Sequence, residues 1–188
     1  MIKLKPHQER AVTEGQAILE RYGLVYLDMG MQTGKTFTSF EIAVRCGYSK
    51  AVFVTKKSNI SNIKAQAEHY DQLDVLVVTY GCFYKAHNYI DDNTIIIIDE
   101  AHSYGTYPKP SMRFKQATEL TKNRRIIFMS GTPTPESFSQ LFHQLNLSSY
   151  SPWSNYPNFY YWAKDYVRVR QVEYHGRPTN NYDNGIKD

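Results

Sequence analysis

Ile95-Ile96-Ile97-Ile98, preceded by Thr94 and followed by Asp99-Glu100-Ala101-His102, constrains this chain more than any other stretch. β-Branched side chains are stiff at χ1 and favour extended backbone. Side chains of a strand alternate between faces, so apolar residues at successive positions demand burial on both. The run is far shorter than the about 18 apolar residues needed to span a bilayer, which leaves a central strand of a parallel sheet. Asp99 and Glu100 then stand at the carboxyl end of that strand, where open α/β sheets bind ligands. An acidic pair in that place suits a magnesium site, and it equally suits a solvated turn.

Upstream, Leu24-Val25-Tyr26-Leu27 is a second apolar run. It passes through Asp28-Met29-Gly30-Met31-Gln32-Thr33 into Gly34-Lys35-Thr36 and a helix-compatible stretch, Phe37 to Arg45. Strand, loop and helix in that order are the setting of a phosphate-binding loop. Its backbone N–H groups and helix N-terminus point at phosphates, Lys35 would neutralise β and γ oxygens, and the Thr36 hydroxyl would ligate Mg²⁺. The strict pattern has glycine where Met29 stands, and Gly30 comes one place late. A third apolar run, Arg125 to Met129, empties into Ser130-Gly131-Thr132-Pro133. Its small hydroxyl residues are expected to hydrogen-bond Asp99 and Glu100; taken alone they make an ordinary turn.

The series Gln8, Gly34-Lys35-Thr36, Asp99-Glu100-Ala101-His102 and Ser130-Gly131-Thr132 resembles the first motor lobe of superfamily-two helicases and translocases, with a DEAH box. Leu4-Lys5-Pro6-His7-Gln8, Val54-Thr55-Lys56-Lys57-Ser58 with Ser61-Asn62, and Val77-Val78-Thr79-Tyr80 narrow the resemblance to the Swi/Snf-type branch. That branch includes many phage and bacterial ATPases, and the resemblance covers roughly residues 2 to 146. It implies a RecA-like P-loop NTPase lobe that binds MgATP on Gly30, Met31, Gln32, Thr33, Gly34, Lys35 and Thr36, with Gln8 on the adenine. Thr36 and Asp99 would hold the metal, and Glu100 would orient or deprotonate the attacking water. His102, Ser130 and Thr132 would couple hydrolysis to a nucleic acid, preferentially duplex DNA, met by Lys57, Ser58, Thr79 and Tyr80. The family usually has proline where this chain has Lys56.

In that family ATP lies between two such lobes, and no second set of strands is expected after residue 150. Hydrolysis would then be completed by a second RecA-like lobe, in a longer protein or a partner chain. A different class of function is also open: a non-catalytic nucleotide- or nucleic-acid-binding module that acts by contacting another protein. The joint presence of Lys35, Thr36, Asp99 and Glu100 speaks for the motor.

Composition sets looser bounds. At 188 residues, 41% hydrophobic and 21% charged, the chain suits one α/β domain with a buried core. A net charge of +4 and a pI near 8.9 permit nucleic-acid binding, and equally a solvated surface of mixed sign. Cys46 and Cys82 form no C-x-x-C pair, which suits a reducing compartment and two packing or near-surface thiols. The start, Met1 to Pro6, lacks the apolar run of a secretion signal, and the expected location is the cytoplasm, away from membranes.

Pro6 suits the first turn of a helix reaching about Arg21, with Ala11, Ile18 and Leu19 on its apolar side. Strands are expected at Leu24–Leu27, Ala51–Thr55, Val75–Thr79, Ile95–Asp99 and Ile126–Ser130. Helices are expected near 35–47, 58–69, 111–123 and Glu136–Leu145. Alternation of strands and helices predicts a parallel sheet of five or more strands covered on both faces. The lobe would occupy residues 1–149, and 150–188 would form an aromatic-rich extension or the start of a linker to a missing second lobe. Tyr104 to Pro110 reads as a plain surface connection, with a mobile element beside the active site as the alternative. From Tyr150 to Tyr182 aromatics alternate with Lys164, Arg168, Arg170 and Arg177. They suit stacking on a single strand, or simply packing of this tail on the lobe. Asn180 to Gly185 reads as a turn or a fraying end.

Overall fold

The computed structural model describes residues 3–30 and 32–183. Met31, one of the expected loop residues, lies outside them, as do Asn184 and Gly185 of the expected terminal turn.

Five parallel strands form the main sheet: β1 (Leu24–Asp28), β2 (Lys50–Thr55), β3 (Asp74–Thr79), β4 (Thr94–Ile98) and β5 (Ile126–Ser130), in the order β1-β5-β4-β2-β3. β4 is central, as the isoleucine run requires, and all four isoleucines are fully buried. Alternation divides them between two cores. Ile95 and Ile97 join Val12 and Leu19 of α1 (Pro6–Tyr22), Phe40 and Ile42 of α2 (Lys35–Arg45) and Ile63 of α3 (Ile60–Ala67). Ile96 and Ile98 meet Ala117 and Leu120 of α4 (Met112–Thr121) and Phe83 and Ala86 of a 3-10 run, Tyr80–Asn88. Each isoleucine buried this way stabilises the fold by about 1.5–3 kcal/mol relative to exposure.

The expected α1 is present, but its buried face differs from the expected one. Gln8, Val12, Gly15 and Leu19 face the sheet, whereas Ile18 is 41% exposed and Ala11 only half-buried. The helical period counted from Gln8 selects positions four, seven and eleven residues on, which passes over Ala11 and Ile18. α3 is shorter than expected and enters through a 3-10 turn, Lys57–Asn59. α5 covers only Gln140–Leu145, because Ser137 and Phe138 turn the chain before it.

Residues 104–110 are not a plain surface connection. Tyr104 and Gly105 are buried, and His143 Nδ1 donates to the Thr106 carbonyl at 2.6 Å. Behind them the extension packs on the lobe. Phe159 and Trp162 of α6 (Phe159–Tyr166) cluster with Phe142 of α5, and Tyr107, Trp153, Tyr156, Tyr166 and Tyr182 surround them. These aromatics therefore follow the packing reading. Two short strands that the sequence reading did not foresee follow residue 150: β6 (Arg170–Tyr174) and β7 (Arg177–Asn181) form an exposed antiparallel hairpin. Positive φ at both His175 (49°) and Gly176 (73°) gives the turn geometry that matches strand twist. The mostly polar residues of both strands, with no run of apolar ones, hid this pair from a search for apolar runs. Among the described residues no helix is long and apolar enough to cross a membrane.

Burial holds the His143 imidazole below its ordinary value of 6.5, although the Thr106 carbonyl opposes the shift. The folded state thus binds this proton less readily than the unfolded chain. The stability it protects is full above about pH 6.5 and falls as the pH drops through and below that value. Urea midpoints from pH 7.5 to 5 should decline for the native chain and decline less for His143→Gln; equal slopes would refute this.

Candidate active site

Parallel pairing brings several carboxyl ends of strands to one edge of the sheet. Asp28 pairs with Ser130, Ile98 with Phe128 and Val54, and Thr55 with Thr79. The chain leaving β1 runs into the loop ahead of α2, and Met29 N donates to the Ser130 carbonyl at 3.3 Å, tying that loop to β5.

Gly34 caps α2 in the left-handed region, φ 86°. The backbone therefore favours glycine, and a Cβ there would stand 2.0 Å from Gln8 Nε2 and displace the end of that side chain. Gln8 is buried, with Nε2 donating to the Thr33 carbonyl at 3.2 Å and Oε1 accepting from Lys5 N at 2.8 Å. The glutamine and the loop, distant in sequence, are thus one assembly. His7, to which the motif reading gave no role, reaches the same Thr33 carbonyl at 3.3 Å. Thr33 Oγ1 donates to the Gly30 carbonyl at 2.8 Å, and Gln32, exposed, adopts φ 58°. The Lys35 ammonium is held over the loop by the carbonyls of Met29 (3.0 Å) and Gly30 (2.9 Å). Thr36 follows in the first turn of α2, half-buried.

Across the edge, the acidic residues part company. Asp99 N donates to the Val54 carbonyl, and the Asp99 carboxylate accepts from Thr55 Oγ1 at 2.7 Å and Asn59 Nδ2 at 3.3 Å. Glu100 instead faces β5, where Ser130 Oγ donates to its Oε2 at 3.2 Å. The expectation that the Ser130 segment would bond both carboxylates therefore holds for Glu100 only; β4 lies between β5 and β2, and each acid takes the neighbour on its own side. Nothing in the motif reading singled out Thr55 or Asn59 as partners of Asp99. A threonine closing an apolar strand was the available signal for the first.

Glu100 adopts φ 44°, ψ 55°, a left-handed conformation that costs a non-glycine residue about 1–3 kcal/mol and concentrates at functional sites. His102 Nδ1 lies 3.1 Å from Ser130 Oγ and 3.3 Å from Glu100 Oε2. With the Ser130 proton given to Glu100, Nδ1 is the donor to both oxygens. Thr132 joins through its backbone, N to Ser130 Oγ at 3.0 Å, while its side chain is exposed.

Lys57 and Ser58 are exposed in their 3-10 turn, and Thr79 at the end of β3 is half-buried. Tyr80 is drawn inward: its hydroxyl donates to the Asp99 carbonyl at 2.8 Å and its ring packs edge-on against Tyr104. Burial pushes its phenol well above the ordinary range, so it stays a neutral donor. The Arg113 guanidinium, absent from the motif reading, lies 5.5 Å from the Tyr80 ring centre.

These donors fit a magnesium-bound nucleotide. Among the described residues no group of three or more His, Cys, Asp or Glu could cage a metal. Mg²⁺ ordinarily takes one or two protein oxygens and completes its shell with phosphates and water, which Thr36 and Asp99 suit.

A profile described as SNF2-related domain matches residues 33–180. No curated protein matches the chain in sequence. The fold is similar to the Sulfolobus solfataricus SWI2/SNF2 ATPase core in complex with dsDNA, with TM-score 0.71 and 16% identity over 88% of this chain and 39% of that one. The Sulfolobus solfataricus SWI2/SNF2 ATPase core domain gives 0.64, 13%, 88% and 38%. The Pyrococcus furiosus Hef helicase domain gives 0.53, 14%, 87% and 40%. The chain spans about two fifths of each of these structures. At such identities the likeness is one of fold.

Gly34→Ala should lower the thermal midpoint and weaken binding of a fluorescent adenine nucleotide, because it strains φ and displaces Gln8. Unchanged binding would show that the loop tolerates both.

Proposed function

The chain belongs to the SNF2-related domain family, and from that premise we propose that it is the ATP-binding first lobe of a nucleic-acid-dependent motor. Duplex DNA is the proposed track and the cytoplasm the proposed setting. Residues 1–149 form the lobe itself and 150–188 its extension. The observation that carries the reading is Glu100, held by Ser130 and His102 in a strained backbone at the edge where Lys35 opens α2.

Lys35 would exchange the carbonyls of Met29 and Gly30 for β and γ phosphate oxygens, and Thr36 with Asp99 would hold the metal. When bound, Mg²⁺ neutralises charge developing on the transferred phosphoryl group. Glu100 positions a water and takes its proton at the carboxylate, while Ser130 and His102 fix that carboxylate's rotamer. Gln8 stands at the loop for the base. Lys57, Ser58 and Thr79 face the nucleic-acid backbone; Tyr80 supports them from behind through Asp99. The second lobe, in a longer protein or a partner chain, supplies the arginines that such sites use for about 10³–10⁵ in rate.

The alternative, a non-catalytic binding module, has no need of a strained and hydrogen-bonded Glu100. ATPase rates with and without duplex DNA separate the two, measured with the second lobe present. Lys35→Ala and Glu100→Gln should each fall by about 10²-fold or more. A rate indifferent to DNA and to both substitutions would sink the motor reading. Lys57→Ala should weaken DNA binding similarly on all sequences and reduce the salt slope by about 1; an unchanged slope would remove Lys57 from the contact surface.

A further inference from the structure

One chain of contacts links the exposed turn at Lys57 to the Asp99 carboxylate. Asn59 closes the same 3-10 turn as Lys57 and Ser58 and is only half-buried. Its Nδ2 donates to Asp99 Oδ2 at 3.3 Å and lies 3.4 Å from Thr55 Oγ1, the stronger donor to that same oxygen. Its Oδ1 accepts from Asn62 Nδ2 at 3.1 Å, and Asn62 Oδ1 accepts from Gln66 Nε2 at 3.0 Å. Asn59, Asn62 and Gln66 thus form a ladder of side-chain amides along α3. Each amide polarises the next, and the last points at Asp99.

The two donors to Asp99 differ in kind. Thr55 is fully buried at the end of β2 and is fixed by the sheet. Asn59 hangs on a turn whose other two residues are exposed, and Asn62 is exposed as well. A ligand on Lys57, Ser58 or Asn62 therefore sits on the same turn as the amide that touches Asp99, or one hydrogen bond away from it. Both donors converge on Oδ2, and among the described residues no protein group donates to Oδ1.

We infer that Asn59 is a positioning residue through which nucleic acid on the Lys57–Asn62 surface sets the orientation of the Asp99 carboxylate, and so the affinity of the site for magnesium-nucleotide. The inference rests on the reading of Asp99 as a metal ligand. Its physical content is a coupling between two sites, which must act equally in both directions. Thr55 keeps the carboxylate in place whether or not nucleic acid is bound; Asn59 adds the part that depends on it.

The test titrates a duplex oligonucleotide into the full chain without nucleotide or metal and follows the side-chain carboxyl ¹³C resonance of Asp99. The native chain should show a shift at saturation that Asn59→Ala abolishes and Asn62→Ala reduces. In parallel, the affinity of a fluorescent MgADP analogue is compared with and without the duplex. The native ratio should be about 5-fold or more and fall to near one in Asn59→Ala, while affinity in the absence of DNA falls less in that variant than in Thr55→Ala. Thr55→Ala should instead weaken Mg²⁺ binding about 10–100-fold in both conditions. A native-like ratio in Asn59→Ala, or an equal loss with and without DNA, would overturn the inference. A native chain that binds no MgADP analogue would overturn the nucleotide reading itself, while the Asp99 resonance still decides whether the relay exists.

Discussion

Burial of β4 on both faces is the constraint from which the rest of the molecule follows. A strand of four isoleucines cannot leave either side open to water, so helices must cover both, and parallel strands must flank it. Once β4 is central, its carboxyl end lies between those of β5 and β2. Two adjacent acids at that point are then forced toward different neighbours. Glu100 meets the Ser130 hydroxyl, and Asp99 meets Thr55. The chemistry of the site is thus a consequence of strand order as much as of motif.

Much of this was legible in the sequence because the signals were apolar runs ending in unusual residues. All five strands of the sheet fall within a residue of where those runs placed them, and Lys35 opens a helix as the Gly-Lys-Thr pattern demands. Less could be read where the information lies between elements. The donors to Asp99 come from β2 and the turn after it, and only the β2–β4 register brings them together. The resemblance set Tyr80 on the nucleic-acid face, yet its hydroxyl reaches back to the Asp99 carbonyl. The hairpin of β6 and β7 escaped notice because it buries nothing: every residue of β6 is exposed.

The extension shows how composition can mislead. Aromatics among cations are what a single-stranded nucleic acid would stack on, and here most of the large rings serve packing instead. Phe142, Phe159 and Trp162 lie within 5.7 Å of one another, centre to centre. A small satellite core of this kind lets α5 and α6 hold the segment after Tyr104, which leads directly from the acidic pair. The ring Tyr107 stacks on Phe159, so the segment behind His102 is clamped by residues that follow it by some fifty positions.

If Gln8 meets the base, as proposed, its position has a consequence for which base the loop can prefer. A side-chain amide carries two N–H donors and an oxygen with two lone pairs. Gln8 commits one donor to Thr33 and one lone pair to Lys5, and among the described residues the other two are unclaimed. What remains is a donor beside an acceptor, the complement of the adenine edge with its N6 amino group and N7. Guanine, which offers two acceptors on that edge, would set oxygen against oxygen. A contact that braces the loop therefore also leaves the glutamine with one donor and one lone pair, the pattern that would tell the two purines apart on the proposed reading.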